Sequence, residues 1–254
     1  MYTKEIAGQF SQIFAQISQT QAANIEAAAQ IVAESIRNQG YFFLYDRGHL
    51  MGSELIARSG GAAFVRTIDF HLPNVVAQGM AGSTEKMRSR ISKEEMQKVT
   101  TDFEHSFYRY NFYQNGLTKG DTLLINSVSG KNKLVNSVAE TAKELGLHLI
   151  AITSLNTQQH IRTPECPMFS DYADVVIDNC VRYGDAVLEL EGLDEKIVSA
   201  SGMAASYIGW NIVYRCSQLL LENHIMPTIY RSVNIDGGQE QNRLAIERFN
   251  SLGF

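Results

Sequence analysis

The clearest chemical signal in the chain follows a short apolar run: Asn126-Ser127-Val128-Ser129-Gly130-Lys131-Asn132. Hydroxyls at 127 and 129, a glycine at 130 and the free amides of a following helix together suit the oxygens of a phosphate group. The same residues equally suit a plain helix start, in which serines cap backbone amides and no ligand is needed. Thr153 and Ser154 end the next apolar run and could add two hydroxyls to the same cleft. Glu54 opens another possibility, since a carboxylate beside a phosphate cradle can move a proton on a sugar carbon. Its alternative is an i,i+4 ion pair with Arg58. His49 lies in the loop before it, where an imidazole could assist sugar-ring opening as acid or base. His71 could do the same. A lone loop histidine usually just faces water, which is the preferred reading of His71, His105, His148 and His160. Lys131 either touches a phosphate or is simply solvated.

These groups need a frame, and the apolar pattern supplies one. Ile6, Phe10, Ile13, Phe14 and Ile17 form one stripe at helical spacing, and Ile25, Ala28, Ala29, Val32 and Ile36 a second. Gly40 is expected to end this helical region. Tyr41 to Tyr45 is a continuous apolar run that suits a strand buried on both faces. Leu50 to Arg58 fits a short helix stopping at Gly60-Gly61, and Ala62 to Val65 reads as a second strand. Residues 67–92 are irregular, as a long loop would be, whether or not it wraps a site. Residues 93–114 read as helix. Thr122 to Ile125 is a strand, Leu134 to Leu145 a helix ended by Gly146, and Leu147 to Ile152 the next strand. That order is a βαβ unit, so its two strands are parallel. Residues 153–172 read as a polar loop, Val175 to Ile177 as a strand and 203–222 as an apolar helix. Asp236-Gly237-Gly238 introduces a tail. The loops at 46–49, 126–132 and 153–160 then lie beyond the carboxyl ends of parallel strands, where open α/β sheets bind ligands.

Composition narrows the function classes. The chain has 254 residues, 44% of them hydrophobic and 19% charged, enough for a large core. Net charge is −5, and no Lys/Arg run breaks the acidic balance. A nucleic-acid footprint is therefore not expected, and an anionic ligand must be held by local groups. Cys166, Cys180 and Cys216 are odd in number and widely spaced, which suits reduced thiols in a cytoplasmic protein. The N-terminus lacks a secretory pattern, and no apolar run has the length of a membrane span. With no repeat or linker visible, the chain reads as one domain over 1–254: a helical arm at 1–40, a core at 41–222 and a tail at 223–254.

The segment 126–132 resembles the phosphate loop of SIS (sugar isomerase) domains, which usually reads Ser-x-Ser-Gly-x-Thr/Asn. The likeness is nearest to the uncharacterised phosphoheptose isomerase-like SIS proteins. It extends through Glu54-Leu55, Arg58-Ser59-Gly60-Gly61, Ile150 to Leu155 and Val176 to Cys180. Gly184-Asp185-Ala186, Leu190 to Leu193 and Asn234-Ile235-Asp236-Gly237-Gly238 also fit. The resemblance implies an α/β three-layer sandwich, with a five-stranded parallel sheet between helices and N-terminal helices added. It implies a homodimer or homotetramer and a small phosphorylated sugar as ligand, with no metal or organic cofactor needed, although some relatives use zinc; the charge and hydropathy above add no nucleic acid and no membrane as partners. It puts Ser127, Ser129, Gly130 and Asn132 on the phosphate, with Thr153 and Ser154 beside them. Glu54 becomes the base of an aldose–ketose isomerisation through an enediol, and His49 its ring-opening partner. The first loop departs from the family pattern, which usually reads Gly-Thr-Gly-His-Ser. Gly48 stands where the phosphate-binding serine is expected. Arg47 could restore the lost contact with a charge-assisted bond, or Asp46 could repel phosphate and favour a neutral or differently decorated sugar. The start of the last long helix also departs, and no second catalytic histidine is found on it. A sensor that binds a sugar phosphate without converting it, and a phosphosugar lyase of the etherase type, are the competing functions.

Overall fold

Continuous apolar runs along short strands build the centre of the protein. The structure is a computed structural model that describes residues 2–68, 70, 92–163 and 167–254. Five strands, β1 (Phe42–Asp46), β2 (Val65–Thr67), β3 (Thr122–Asn126), β4 (His148–Thr153) and β5 (Val175–Asp178), form one sheet in the order β2-β1-β3-β4-β5. Every neighbouring pair in it is parallel. Phe42, Leu44, Leu124, Ile150, Ile152 and Ile177 point to one face. There they meet α1 (Tyr2–Thr20), α2 (Ala22–Arg37) and α7 (Ser201–Glu222). The intervening Phe43, Tyr45, Leu123, Ile125, Leu149 and Ala151 are just as buried on the other face. On that face α5 (Lys133–Glu144) packs with a 3-10 turn, Phe169–Tyr172. The sheet is thus flanked by helices on both sides, and the N-terminal helices are present.

The two apolar stripes of the N-terminal region become α1 and α2. Ile13 and Ile17 of α1 are buried, and the Phe14 ring stacks on Tyr207 with centroids 4.6 Å apart. The end of α2 differs from the expectation at Gly40. The cap is Asn38, and Gln39 takes the left-handed conformation at φ 65°. Gly40 serves close approach instead, because a Cβ there would lie 2.6 Å from Ser35 Oγ. Its amide closes the turn onto Ser35 O at 2.8 Å.

A short helix, α3 (Met51–Leu55), follows β1 and lies against α7. Gly209 of α7 permits this approach, since a Cβ there would stand 2.5 Å from Leu55 Cδ1 and 2.9 Å from Met51 Cε. Three further elements differ from the sequence expectation. The second strand begins at Val65, and Ala62 instead bridges antiparallel to Ile229. The stretch 153–172 is not a continuous loop. It holds α6 (Leu155–Ile161), capped by Ser154, and the 3-10 turn. The tail carries a helix, α8 (Gly238–Leu252), anchored by buried Phe249. A two-stranded antiparallel hairpin, β6 (Ala186–Leu188) with β7 (Ile197–Ser199), precedes α7.

The chain divides into two compact units, residues 1–68 with 118–254, and residues 69–117. The first contains the sheet and all the elements above. In the second, α4 (Lys93–Gln114) starts at Ser92, whose side chain accepts the Glu95 amide at 3.0 Å. Glu94 and Glu95 in its first turn suit the helix dipole. The Phe70 ring sits edge-on to Tyr108 and Phe112, with centroids 5.2 and 5.4 Å away. His71 and Cys166, both singled out in the sequence, lie outside the described residues.

Candidate functional site

A sheet ordered β2-β1-β3-β4-β5 has one position where successive connections leave in opposite directions, between β1 and β3. The loops that leave those two strands meet there, beyond the strand ends, at the point where open α/β sheets take ligands. The register fixes which residues end together at this switch point: Asp46 is paired with Asn126, and Asn126 with Ile152. The Arg47 amide donates to Asn126 O at 2.9 Å, which ties the two exits together.

The loop after β3 is stitched to β4 on its outer side. The Ser127 amide donates to Ile152 O at 3.0 Å, and the Ser154 amide to Val128 O at 3.1 Å. Within the loop, Ser127 Oγ accepts the Gly130 amide and Ser129 Oγ the Lys131 amide, each at 3.3 Å. These are long bonds, near the outer limit for N–H to O. Among the described residues, neither serine hydroxyl donates. Gly130 adopts φ 62°, and a Cβ there would stand 2.5 Å from Phe169 Cδ1, so only glycine fits. Asn132 is the N-cap of α5 and accepts the Leu134 amide at 2.9 Å. Lys131 is exposed.

Thr153 and Ser154 are fully buried and internally engaged. Thr153 Oγ1 donates to Val128 O at 3.0 Å and accepts Gln158 Nε2 at 3.1 Å. Gln158 Oε1 accepts Ser170 Oγ at 3.0 Å. Ser154 Oγ donates to Val181 O at 2.6 Å and accepts the Thr157 amide at 2.9 Å. The Thr153 hydroxyl holds the loop in place and the Ser154 hydroxyl caps α6 and ties it to Val181, so both are engaged internally.

The loop after β1 is arranged around a carboxylate. Asp46 Oδ1 accepts the Gly48 amide at 2.8 Å and Asn126 Nδ2 at 2.7 Å, and Oδ2 accepts the Gly52 amide at 2.6 Å. A Cβ on Gly48 would lie 2.5 Å from Asn126 Nδ2, so this position has no room for a serine while Asp46 is folded in. Arg47 is exposed, with its guanidinium 5.9 Å from the Tyr45 ring centre. His49 is also exposed. Glu54, on α3, is ion-paired with Arg58, three residues beyond the end of that helix, and about a third of its side chain is exposed. The i,i+4 alternative is therefore the arrangement the structure adopts.

A second carboxylate organises the start of α7 close by. A Cβ on Gly202 would approach Leu50 Cβ at 3.1 Å, which sets the first turn of α7 beside the first loop. Asp185 accepts the Ser201 amide at 2.8 Å and the Ala200 amide at 3.2 Å. It also accepts the hydroxyls of Ser199 at 2.6 Å and Ser201 at 2.9 Å. Burial pushes its pKa up, but the two hydroxyls and two amides outweigh this and hold it below the usual aspartate value.

Sequence reasoning placed the serine loop and missed the role of Asp46 and Asn126 as a hydrogen-bonded pair. The available signal was that each ends a strand, and neighbouring parallel strands bring such ends together. It also missed Gln158 and Asp185, whose partners are distant in sequence. Chemically, the two strand exits offer loosely held amides and two undonated hydroxyls on one side, and a fixed carboxylate on the other.

The model of the SIS domain matches residues 6–154. A UPF0309 protein of Listeria monocytogenes is 31% identical over 238 residues, covering 92% of this chain and 91% of that protein. A UPF0309 protein of Caldanaerobacter subterraneus is 34% identical over 242 residues, covering 92% and 91%. Among solved structures, the phosphoheptose isomerase of Neisseria gonorrhoeae aligns with a TM-score of 0.44 at 13% identity, over 86% of this chain and 98% of that one. The matched segment includes both strand exits at the switch point, and the chain belongs to the SIS domain family.

Proposed function

We propose that the protein binds a small sugar phosphate at the β1/β3 switch point, with the phosphate on Ser127, Ser129 and Gly130. The observation that supports this most directly is the pair of long internal bonds in that loop. Charged phosphate oxygens can replace neutral hydroxyls on the Gly130 and Lys131 amides at a gain, because charge-assisted bonds are roughly twice as strong. Asn132 keeps the helix start in place beneath, and Thr153 and Ser154 act from behind the loop.

The chemistry proposed is aldose–ketose interconversion. Glu54 removes the proton from C2 while the C1 carbonyl oxygen takes a proton from water, giving the enediol; Glu54 then delivers its proton to C1 as the C2 hydroxyl returns a proton to water and becomes the ketone. His49 assists ring opening, and Arg47 and Gly48 lie along the sugar. Glu54 must leave Arg58 to act. We place this activity in a cytoplasmic homodimer or homotetramer built from one domain over 1–254. Exposed apolar side chains such as Val233, Ile235 and Leu252 favour self-association.

The test is proton NMR in D2O with pooled sugar phosphates and free sugars. Loss of a C2–H signal with the native chain, and none with Glu54→Gln, is the expected result. An active Glu54→Gln variant removes Glu54 from the mechanism. A second reading is favoured by the Glu54–Arg58 pair: a sensor that binds the same ligand without turnover. Broadened ligand lines with no exchange across the panel would select it.

A further inference from the structure

The β1 exit gathers hydrogen-bond donors as an anion site does, but the anion is part of the chain. Two backbone amides and one side-chain amide converge on the Asp46 carboxylate at 2.6 to 2.8 Å. The glycines at 48 and 52 are what let it in. A Cβ at 48 would lie 2.9 Å from Asp46 Oδ1, and one at 52 would lie 3.2 Å from Asp46 Cβ. Asn126 is 2% exposed, and its Oδ1 has no donor among the described residues. An unpaired acceptor this deep is costly unless a donor reaches it.

We propose that Asp46 is a specificity-determining residue that closes the first loop to anions. The site then takes a ligand with a single anionic group, seated at 127–130, whose opposite end bears hydroxyl or ammonium donors. This rests on the proposal that the second loop receives the phosphate. The physical logic is complementarity of opposite kinds at the two ends. The second loop has donors to give, from amides and serine hydroxyls. The first has acceptors, the carboxylate and the orphaned Asn126 oxygen. A ligand anion brought to the first loop would meet a fixed negative charge whose donors are already in use, at a separation where solvent screening is weak. A ligand with a phosphate at each end is excluded by the same charge.

The experiment is a titration with inorganic phosphate, followed by amide nitrogen and proton shifts, on the native chain, Asp46→Ser and Asp46→Asn. In the native chain, shifts are expected at Ser129, Gly130 and Lys131 and not at Gly48 or Gly52. In Asp46→Ser, Gly48 and Gly52 also shift, with at least a tenfold gain in phosphate affinity at that loop. Asp46→Asn, which keeps the shape and removes the charge, reproduces part of that gain and covers the case in which the serine variant fails to fold. Phosphate shifts at Gly48 and Gly52 in the native chain, or none there in any variant that folds, would overturn the proposal. A native chain in which Gly130 does not respond would instead remove the phosphate reading of the second loop, and the Asp46 variants would still decide the first.

Discussion

Two loops leave adjacent strands of the same sheet and solve opposite problems. The loop after β1 satisfies its amides with a carboxylate at 2.6 and 2.8 Å. The loop after β3 satisfies its own with serine hydroxyls at 3.3 Å. The first is closed by a charge, and the second is only propped by neutral groups that a stronger acceptor can displace. Family membership alone does not distinguish them, because both sit at positions where an α/β sheet takes a ligand. The difference lies in which donors are already occupied.

The comparison can be broken most forcefully at its glycines. Gly130→Ala combines a left-handed backbone with a ring 2.5 Å from the new methyl group. We expect a loss of about 3 kcal/mol in urea unfolding, from strain and overpacking together. Gly48→Ala meets a movable amide and carboxylate at an ordinary φ, and about 1–2 kcal/mol is expected. A larger cost at 48 than at 130 would mean that the first loop is the more rigid of the two.

Removing hydroxyls sharpens the contrast. Ser127→Ala should weaken sugar-phosphate binding about tenfold by calorimetry, the loss of one hydrogen bond to a charged group. Its melting temperature should barely move, since the bond it gives up internally is long. An unchanged affinity would show that the amides alone hold the anion.

Asp185 extends the comparison to α7, whose first turn it caps as Asp46 caps the first loop. Its folded pKa lies below the usual aspartate value, so its stabilisation is present above that usual value and is lost as pH falls through the folded one. The stability gap between the native chain and Asp185→Asn should therefore close on acidification. Buried Asp121, raised mainly by desolvation, carries the opposite sign. Its contribution fades as pH rises through its folded pKa, so the gap to Asp121→Asn should narrow or invert in that direction. Arg47→Ala is the smallest expected effect. Its exposed guanidinium should alter phosphate affinity by less than about twofold.

The sheet was legible because its strands are short apolar runs set off by polar turns, and β3, α5 and β4 fall within a residue or two of their expected bounds. The helix at 155–161 was not, because it is polar: its start rests on the Ser154 cap and its buried Gln158 looks like loop composition. The tail helix hid for a similar reason, with Phe249 its main buried anchor. In the site, the serine loop could be read from types and spacing. The Asp46–Asn126 bond could not, because it joins residues 80 positions apart that meet only once strand order is known. Glu54 shows the converse: its local partner at i+4 was visible from the start, and it is the partner found.

The chain of bonds behind the second loop has a mechanical meaning. Val128 O is held by Thr153, Thr153 by Gln158, and Gln158 by Ser170. The ring of Phe169, next to Ser170, fills the space over Gly130. Loop and turn are joined twice, once by polar links and once by contact. Shifting residues 127–130 without 169–172 would break the polar links and open a gap under the ring, so the two form one mechanical unit.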